Sequence, residues 1–434
     1  MPRLLPALIL ALLLSGAARA AVVTEFTGLY PIRVERIAAP TSVAEVVRLV
    51  RENPGPVSVG GGRFSMGGQT ATEGALQIDM RRMDRVLVLS PVERTIRVEA
   101  GITWRKIQEA IDPYDLSLKI MQSYANFTVG GALSVNCHGR YVNQGSVIRS
   151  VRSIQIVLAD GKVVEASPTS NSEVFYGAIG GYGAVGVITA ATLELEANTP
   201  LERTAKMLPI AEYPSFFFSA VKGSTTAVFH NGDIYPPEYD RVAAVTFSKT
   251  SRPVTVKDRL RTWAAANWRT RLLQLWLSER SYAKRLRAEA IDPILLKAKP
   301  VVWRNYEASY DVASLAPFSR KKSTYVLQEY FVPVERFGVF TPKMSTRRPS
   351  AAPSRSGRAS SSPRPSPPAG PTTCPTRSSP RPSSSMPPTR APRSFSRSRR
   401  SSIRPTSSAT SSGTPTSRLP PTREPRPTRP SRPG

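Results

Sequence analysis

Between Val57 and Gln69 the chain reads V-S-V-G-G-G-R-F-S-M-G-G-Q, a short β-type run that empties into five glycines, Gly60, Gly61, Gly62, Gly67 and Gly68. Glycine lets a backbone approach a bulky anion closely and visits positive φ freely. Successive exposed N–H groups in such a loop form an anion-binding nest, and a pyrophosphate is the ligand that suits it. Taken alone, the pattern reads equally as an ordinary glycine-rich turn. A second glycine site, Q-S-Y-A-N-F-T-V-G-G-A-L-S-V-N-C-H-G, runs from Gln122 to Gly139. Its small and hydroxyl-bearing residues suit close approach and hydrogen bonding to a flat heteroaromatic ring. The His138-Gly139 pair within it reads as structural or as catalytic, and the residues leave both open. A third site, F-Y-G-A-I-G-G-Y-G-A-V-G-V-I-T, spans Phe175 to Thr189.

These sites need elements to position them. Ser42 with Glu45 three places on is a capping-box arrangement. Val43, Val46, Val47 and Val50 then share one helical face, and this helix should end at Asn53-Pro54-Gly55. Strands are expected at Val57 to Val59, Leu76 to Asp79, Val86 to Leu89 and Thr95 to Glu99, with Pro91 to Arg94 turning between the last two. A helix should run through Ile107 and Ala110. Val151 to Ala166 reads as a hairpin turning at Asp160-Gly161, and an alternating strand should end near Glu196. The folded part is expected to begin near Tyr30. Past Pro200, short β-like runs at Thr226 to His230 and Val242 to Phe247 alternate with turn clusters at Asn231-Gly232-Asp233 and Pro236-Pro237. Thr255 to Lys299 is helical in composition, with Leu260, Trp263, Trp268, Leu272, Leu275 and Trp276 on an apolar side and Lys257, Arg259, Arg261, Arg269 and Arg271 on a basic one. A basic amphipathic helix can lie on an anionic membrane, so peripheral membrane contact through 255–299 stands beside the plainer reading of a core-packing helix with a solvated basic face.

A chain of 434 residues allows two or three domains. Its formal charge is +29, but residues 345–434 hold 18 Arg, no Lys and a single acid, Glu424, and so carry 17 of it. The overall basicity is therefore no sign of a specific nucleic-acid partner. Two cysteines, Cys137 and Cys374, exclude a disulfide framework. Two histidines, His138 and His230, leave no material for a His/Cys metal cluster, and no metal is expected. At the N-terminus, Arg3, an apolar run from Leu4 to Leu14 and Ala18-Arg19-Ala20 form the pattern of a secretory signal peptide over residues 1–20. The run is too short to span a bilayer. An uncleaved anchor is the alternative, and either way the chain is expected to be exported, periplasmic or secreted.

Taken in order, G-G-R-F-S-M-G-G-Q, A-G-I-T-W, T-V-G-G-A-L-S-V-N-C-H-G, V-L-A-D-G-K-V-V and G-A-I-G-G-Y-G-A-V-G-V-I-T resemble the FAD-binding domain (PCMH-type) of the vanillyl-alcohol oxidase / p-cresol methylhydroxylase superfamily. Within it the sequence is most similar to the aldonolactone and alditol oxidoreductases. The match covers about Tyr30 to Asn198. The resemblance implies an α+β fold: a two-subdomain FAD-binding domain over 30–198, then a partial substrate (cap) domain over 199–344. It implies that Gly60, Gly61, Gly62, Arg63, Phe64, Ser65, Met66 and Gly67 wrap the pyrophosphate, with Gln69 in the same site. Ser123, Thr128, Val129, Gly130, Gly131 and Ser134 would line the ribityl chain and isoalloxazine. Asn136, His138 and Gly139 would lie beside the ring, and Gly186, Val187 and Ile188 would meet the adenine end through backbone groups. Many members read G-H-S in the first loop, with that His joined covalently to the flavin. Aligned on Ser65, the position here is Phe64, so FAD is expected to be bound without a covalent link. The implied reaction is hydride transfer from the CH–OH of a sugar, alditol or aldonolactone to FAD, with an electron acceptor the sequence does not name.

Tyr325 to Glu335, Y-V-L-Q-E-Y-F-V-P-V-E, resembles the E-Y-F-V-P strand of the family's cap, extending the match to about Lys343. The family's later Glu-x-Arg strand and His-Trp-x-Lys are not found: no His-Trp occurs, and Glu424-Pro425-Arg426 is coincidental. No catalytic residue is therefore assigned. Residues 345–434, dominated by Ser, Pro, Arg, Thr and Ala with one Phe and no Tyr or Trp, lack the apolar surface to repay ordering and are expected to be disordered. Such a composition is what GC-rich codons give when read out of frame, so the tail reads as a frameshift product, with the missing cap motifs expected in another frame beyond Met344. Two alternatives to an enzyme remain: a flavin binder without turnover, and a protein that docks on polyanions or membranes through its Arg-rich segments.

Overall fold

The computed structural model describes residues 20–236, 238–262, 281–312, 324 and 326–340. The expected signal peptide up to Arg19 and the expected disordered tail both lie outside them. Order begins earlier than Tyr30. Strand β1 (Ala21–Val23) pairs antiparallel with β2 (Ile32–Val34), Ala21 opposite Val34, and the buried Glu25 carboxylate closes the turn between them by accepting from the Thr27 amide and hydroxyl.

Strand β3 (Arg36–Ala38), helix α1 (Val43–Glu52), β4 (Val57–Gly60) and β5 (Leu76–Asp79) make a small parallel unit in the sheet order β3-β5-β4. The capping box is present but displaced by one residue: Ser42 Oγ accepts from the Glu45 amide at 3.3 Å, while the Glu45 carboxylate accepts from the Thr41 amide at 2.7 Å. Parallel strands are usually joined by a helix. Here β4 and β5 are joined by the glycine loop alone, and loops at the carboxyl ends of parallel strands are where such sheets bind ligands. Val46, Leu76, Ile78, Met80 and Met83 form the core of this unit, completed by Val157 and Val187 from the larger sheet.

That larger sheet is antiparallel. Its elements in chain order are β6 (Val86–Ser90), β7 (Thr95–Glu99), α2 (Trp104–Ile111), β8 (Leu116–Leu118), α3 (Val129–Ser134), β9 (Val151–Val157), β10 (Val163–Ala166), α4 (Ser172–Ala178) and β11 (Val187–Ala197). The strand order is β10-β9-β11-β7-β6, with β8 on the far end of β11. The β9–β10 hairpin turns as expected at Asp160-Gly161, where Gly161 takes φ +78°. Helices α3 and α4 were not anticipated, because their glycines masked the helical spacing.

Beyond Asn198, β12 (Pro200–Pro209), β13 (Ala227–Ile234), β14 (Arg241–Lys249) and β15 (Val301–Trp303) form a second antiparallel sheet, ordered β13-β14-β12-β15. Its Phe229, Phe247 and Val302 share one apolar core with Ile96, Trp104 and Leu193 of the preceding sheet. Three expectations need correction. Asn231-Gly232-Asp233 is no turn: it continues β13, where a side chain at Gly232 would come within 2.7 Å of the Tyr213 hydroxyl. Residues 255–262 are not helical, because the amides of Thr255 and Val256 bond to the Val301 carbonyl, and helix is described only from Ser281 to Lys297. Arg259 and Arg261 accordingly make no solvated face; they bind Asp112, Asp115 and Glu307 within the fold. Arg269 and Arg271 lie outside the described residues. Finally, 326–333 forms no strand with any described partner.

His230 on β13 is buried, with Nδ1 2.9 Å from Thr246 Oγ1 and Nε2 2.9 Å from Tyr213 Oη. Burial lowers its pKa from 6.5 to about 4. The unfolded chain therefore binds a proton at a pH where the native state does not. This contribution to stability is intact above about pH 6.5, is lost as pH falls toward 4, and changes no further below that. Thermal midpoints of wild type and His230→Gln, measured across this window, should show a flatter profile in the variant; parallel profiles would mean that the acid sensitivity arises elsewhere.

Candidate functional site

The loop after β4, the start of α3, the chain from Asn136 to Arg140 and the approach to β11 enclose one cleft of about 840 Å³. Thr128, at the N-cap position of α3, does not cap its own helix; its hydroxyl accepts at 3.4 Å from the Gly62 amide instead. This joins the two glycine sites. A β-carbon on Gly61 would collide with the same hydroxyl, so glycine is required there for the loop to lie against α3. Among the described residues, the amides of Gly61, Arg63, Phe64, Ser65 and Met66 have no protein acceptor. Half-exposed at the wall of the cleft, these amides are available to an acceptor from outside the chain.

Arg63 stands in the left-handed region at φ +59°. Its Nη2 lies 3.0 Å from Asp79 Oδ2, while its Nε is buried without a partner. Phe64 packs between Phe26 and Phe127, with ring centroids 5.7 and 4.7 Å away.

Most of the residues singled out from sequence line this cleft: Gly60, Gly61, Gly62, Arg63, Phe64, Ser65, Met66, Gln69, Ser123, Thr128, Gly130, Gly131, Ser134, Asn136, His138, Gly139, Gly186 and Ile188. Three do not. Val129 is fully buried beneath α3, and its amide bonds to the Ile102 carbonyl. Val187 turns into the core around Val46. Gly67, at φ +154°, shapes the loop without facing the cleft. Sequence reasoning missed several wall residues, among them Met80, Tyr124, Arg140, Tyr182, Val312 and Glu329.

At one edge of the cleft His138 Nε2 is 3.5 Å from Glu329 Oε2, and its ring meets Phe331 edge-on at 6.0 Å. The Leu327 amide lies 3.1 Å from Met66 Sδ, so this segment crosses from the glycine loop to His138. Cys137 is buried, and burial pushes its thiol pKa far up, which leaves it inert as a nucleophile. Behind Gly139, Glu307 is only 2% exposed and accepts from Arg140 at 2.8 Å and Arg261 at 2.9 Å. Both guanidiniums lie over the Tyr310 ring, 5.4 and 3.9 Å from its centroid. Burial works against the Arg140 cation, but Glu307 and Tyr310 raise its pKa above the ordinary value. Burial and then Glu307 push Tyr310 up to about 12.

Residues 32–167 match the family model described as FAD binding domain. Over this stretch the chain is similar to that family. The matched stretch opens at the first residue of β2 and closes just past β10, so the FAD-binding domain holds both glycine sites, while Gly186 and Ile188 complete the cleft from beyond it. The residues present fit FAD: unpaired loop amides and a cationic Arg63 suit its diphosphate, and Thr128, Gly131 and Ser134 leave a small-residue wall for a flat ring. Among similar proteins, L-gulonolactone oxidase of Bos taurus is 28% identical over 232 residues, 53% of this chain and 50% of the relative. L-gulonolactone oxidase of Mus musculus is 33% identical over 168 residues, 38% of each chain. Alditol oxidase of Streptomyces sp. (strain IKD472 / FERM P-14339) is 28% identical over 179 residues, 40% of this chain and 42% of the relative. The chain thus spans about half or less of the length of these relatives.

Proposed function

We propose that this protein is an exported, FAD-dependent oxidoreductase that acts on a CH–OH group of a sugar, alditol or aldonolactone, with oxygen or another acceptor closing the cycle. The observation that carries the reading is the cleft in which the two glycine sites meet, in a stretch similar to a family that binds FAD and with relatives that include L-gulonolactone and alditol oxidases. When bound, FAD supplies the two-electron oxidation itself, and protein groups place and tune it. The chain's own residues do the rest. The loop amides and Arg63 hold the diphosphate. Thr128, Gly130, Gly131 and Ser134 present backbone and hydroxyl groups to the ring. His138 and Glu329 supply the polar edge at which a substrate hydroxyl can be bound, and the exposed side chains of Phe331 and Leu327 border that edge. Phe64, locked in its aromatic stack, stands where a flavin-linked His would stand, which supports a non-covalent cofactor.

Purified exported protein should show a flavin absorption spectrum, begin at Ala21, the first residue of β1, and release all its flavin on acid precipitation. It should then reduce a dye acceptor with aldonolactones or alditols. Flavin retained in the acid pellet would overturn the non-covalent reading. Colourless protein would overturn the cofactor assignment for the whole chain. A second reading, FAD binding without turnover, is favoured by residues 326–333, which resemble a cap strand yet pair with no described strand. Flavin with no turnover on any such substrate selects that reading.

A further inference from the structure

The helix Ser281–Lys297 is fixed on one side and apolar on the other. Ala283, Ala288 and Asp292 are buried, and the Asp292 carboxylate accepts from Tyr235 Oη at 2.8 Å and from Arg287 Nε at 3.0 Å. Arg203 of β12 holds the end of the helix, donating to the Leu295 and Ala298 carbonyls at 2.7 and 3.1 Å. Yet Leu286 is 45%, Leu295 59% and Ile294 68% exposed. On an α-helix Leu286 and Ile294 would stand about 80° apart around the axis. Arg287–Ile291 between them is wound as a π turn, whose wider winding closes most of that gap and brings the two onto one strip. Such turns are frequent at functional sites.

Between 281 and 299 the chain holds five basic residues and two acids, and one of the acids is the buried Asp292. Arg285 reaches Glu238 and Arg287 reaches Asp292, but Lys297 and Lys299 are exposed and make no ion pair with any described carboxylate. We infer that this face docks on a lipid surface rich in anionic headgroups, with Leu286, Ile294 and Leu295 at the upper ends of the acyl chains and Lys297 and Lys299 among the phosphates. The charge pattern points to lipid. A narrow apolar strip flanked by lysines without fixed partners suits a surface whose anions move to meet them, and each cation near an anionic leaflet adds its own attraction. No described helix is long and apolar enough to cross a membrane, so contact through this one is interfacial. The inference stands apart from the cleft and its cofactor, and it moves the basic face from Arg259 and Arg261, which the fold takes up, to the far end of the 255–299 stretch.

The test sediments the exported chain, with the residues after 344 in place, beside vesicles of phosphatidylcholine alone and of phosphatidylcholine mixed equally with phosphatidylglycerol. Wild type should bind the mixed vesicles and not the neutral ones, and added salt should weaken binding. The Arg-rich residues after 344 can attract anionic lipid by themselves, so variants isolate the helix. Leu286→Gln combined with Ile294→Gln should lower affinity about tenfold or more, because each aliphatic side chain contributes through its burial. Lys297→Gln combined with Lys299→Gln should lower it about tenfold. All four positions are exposed, so thermal midpoints should match wild type. Ile294→Trp should add emission that shifts to the blue on mixed vesicles, a change wild type lacks. Binding that is absent, equal on both vesicles, or unchanged in both double variants would overturn the inference, as would Ile294→Trp emission indifferent to lipid. Wild type that self-associates without vesicles, and turns monomeric in the Leu286→Gln, Ile294→Gln variant, would assign the face to a second copy and overturn it equally.

Discussion

Gly131→Val should give a protein that folds and does not retain FAD. Gly131, exposed on the cleft side of α3, has a backbone open to any L-residue, and a β-carbon there meets only Thr128 Oγ1, at 3.1 Å. Valine is also no worse than glycine in a helix. The branched side chain would project into the space the cofactor needs. Overpacking of that kind costs about 1–3 kcal/mol, or roughly five- to more than a hundredfold in affinity. Gly131→Ala should lose less. The neighbouring substitution Gly62→Val is a poorer probe, because its β-carbon would lie 2.7 Å from the Phe64 ring and disturb the protein itself. Flavin titration of purified Gly131→Val, beside its thermal midpoint, decides the point: normal flavin affinity would show that Gly131 only builds helix α3 and makes no room for the cofactor.

Glu307→Gln is expected to be the most destabilising of the conservative changes near the cleft. The wild-type carboxylate pairs with Arg140 and Arg261 at once, behind the segment that carries His138. Removing one partner of a buried ion pair strands the other charge, at about 3–5 kcal/mol. Because the two arginines keep some contact with water, the lower end applies, near 3 kcal/mol, a fall in melting temperature of roughly 5–10 °C. A midpoint within a degree of wild type would show that solvent already serves both guanidiniums.

What the sequence showed best was local. Helix α1 announced itself through Ser42, Glu45 and valines at helical spacing, and the β9–β10 hairpin through Asp160-Gly161. The glycine sites were legible because glycine is a backbone requirement written into the chain. What failed was whatever depended on distant partners. Gly232 looked like a turn, yet its role is to admit the Tyr213 ring beside β13. Arg259 and Arg261 looked like one face of a helix, yet their acids lie at Asp112, Asp115 and Glu307. Arg140 sits one residue past the motif, but its carboxylate is 167 residues further on, beyond the reach of any spacing rule. Val129 and Val187 lie in motifs whose neighbours line the cleft, but their own side chains turn into the core, which spacing along the motif does not reveal.

The shared core of Val46, Leu76 and Ile78 with Val157 and Val187 has a consequence for how the molecule comes into being. The unit that carries the first glycine loop is made early in the chain, but it cannot close its apolar interior until β9 and β11 have been synthesised and paired far downstream. Long-range contacts of this kind slow folding and prolong exposure of apolar surface. The loop that waits for the diphosphate is thus among the first segments to be translated and among the last to acquire a fixed shape, so cofactor capture must follow assembly of the larger sheet rather than guide it.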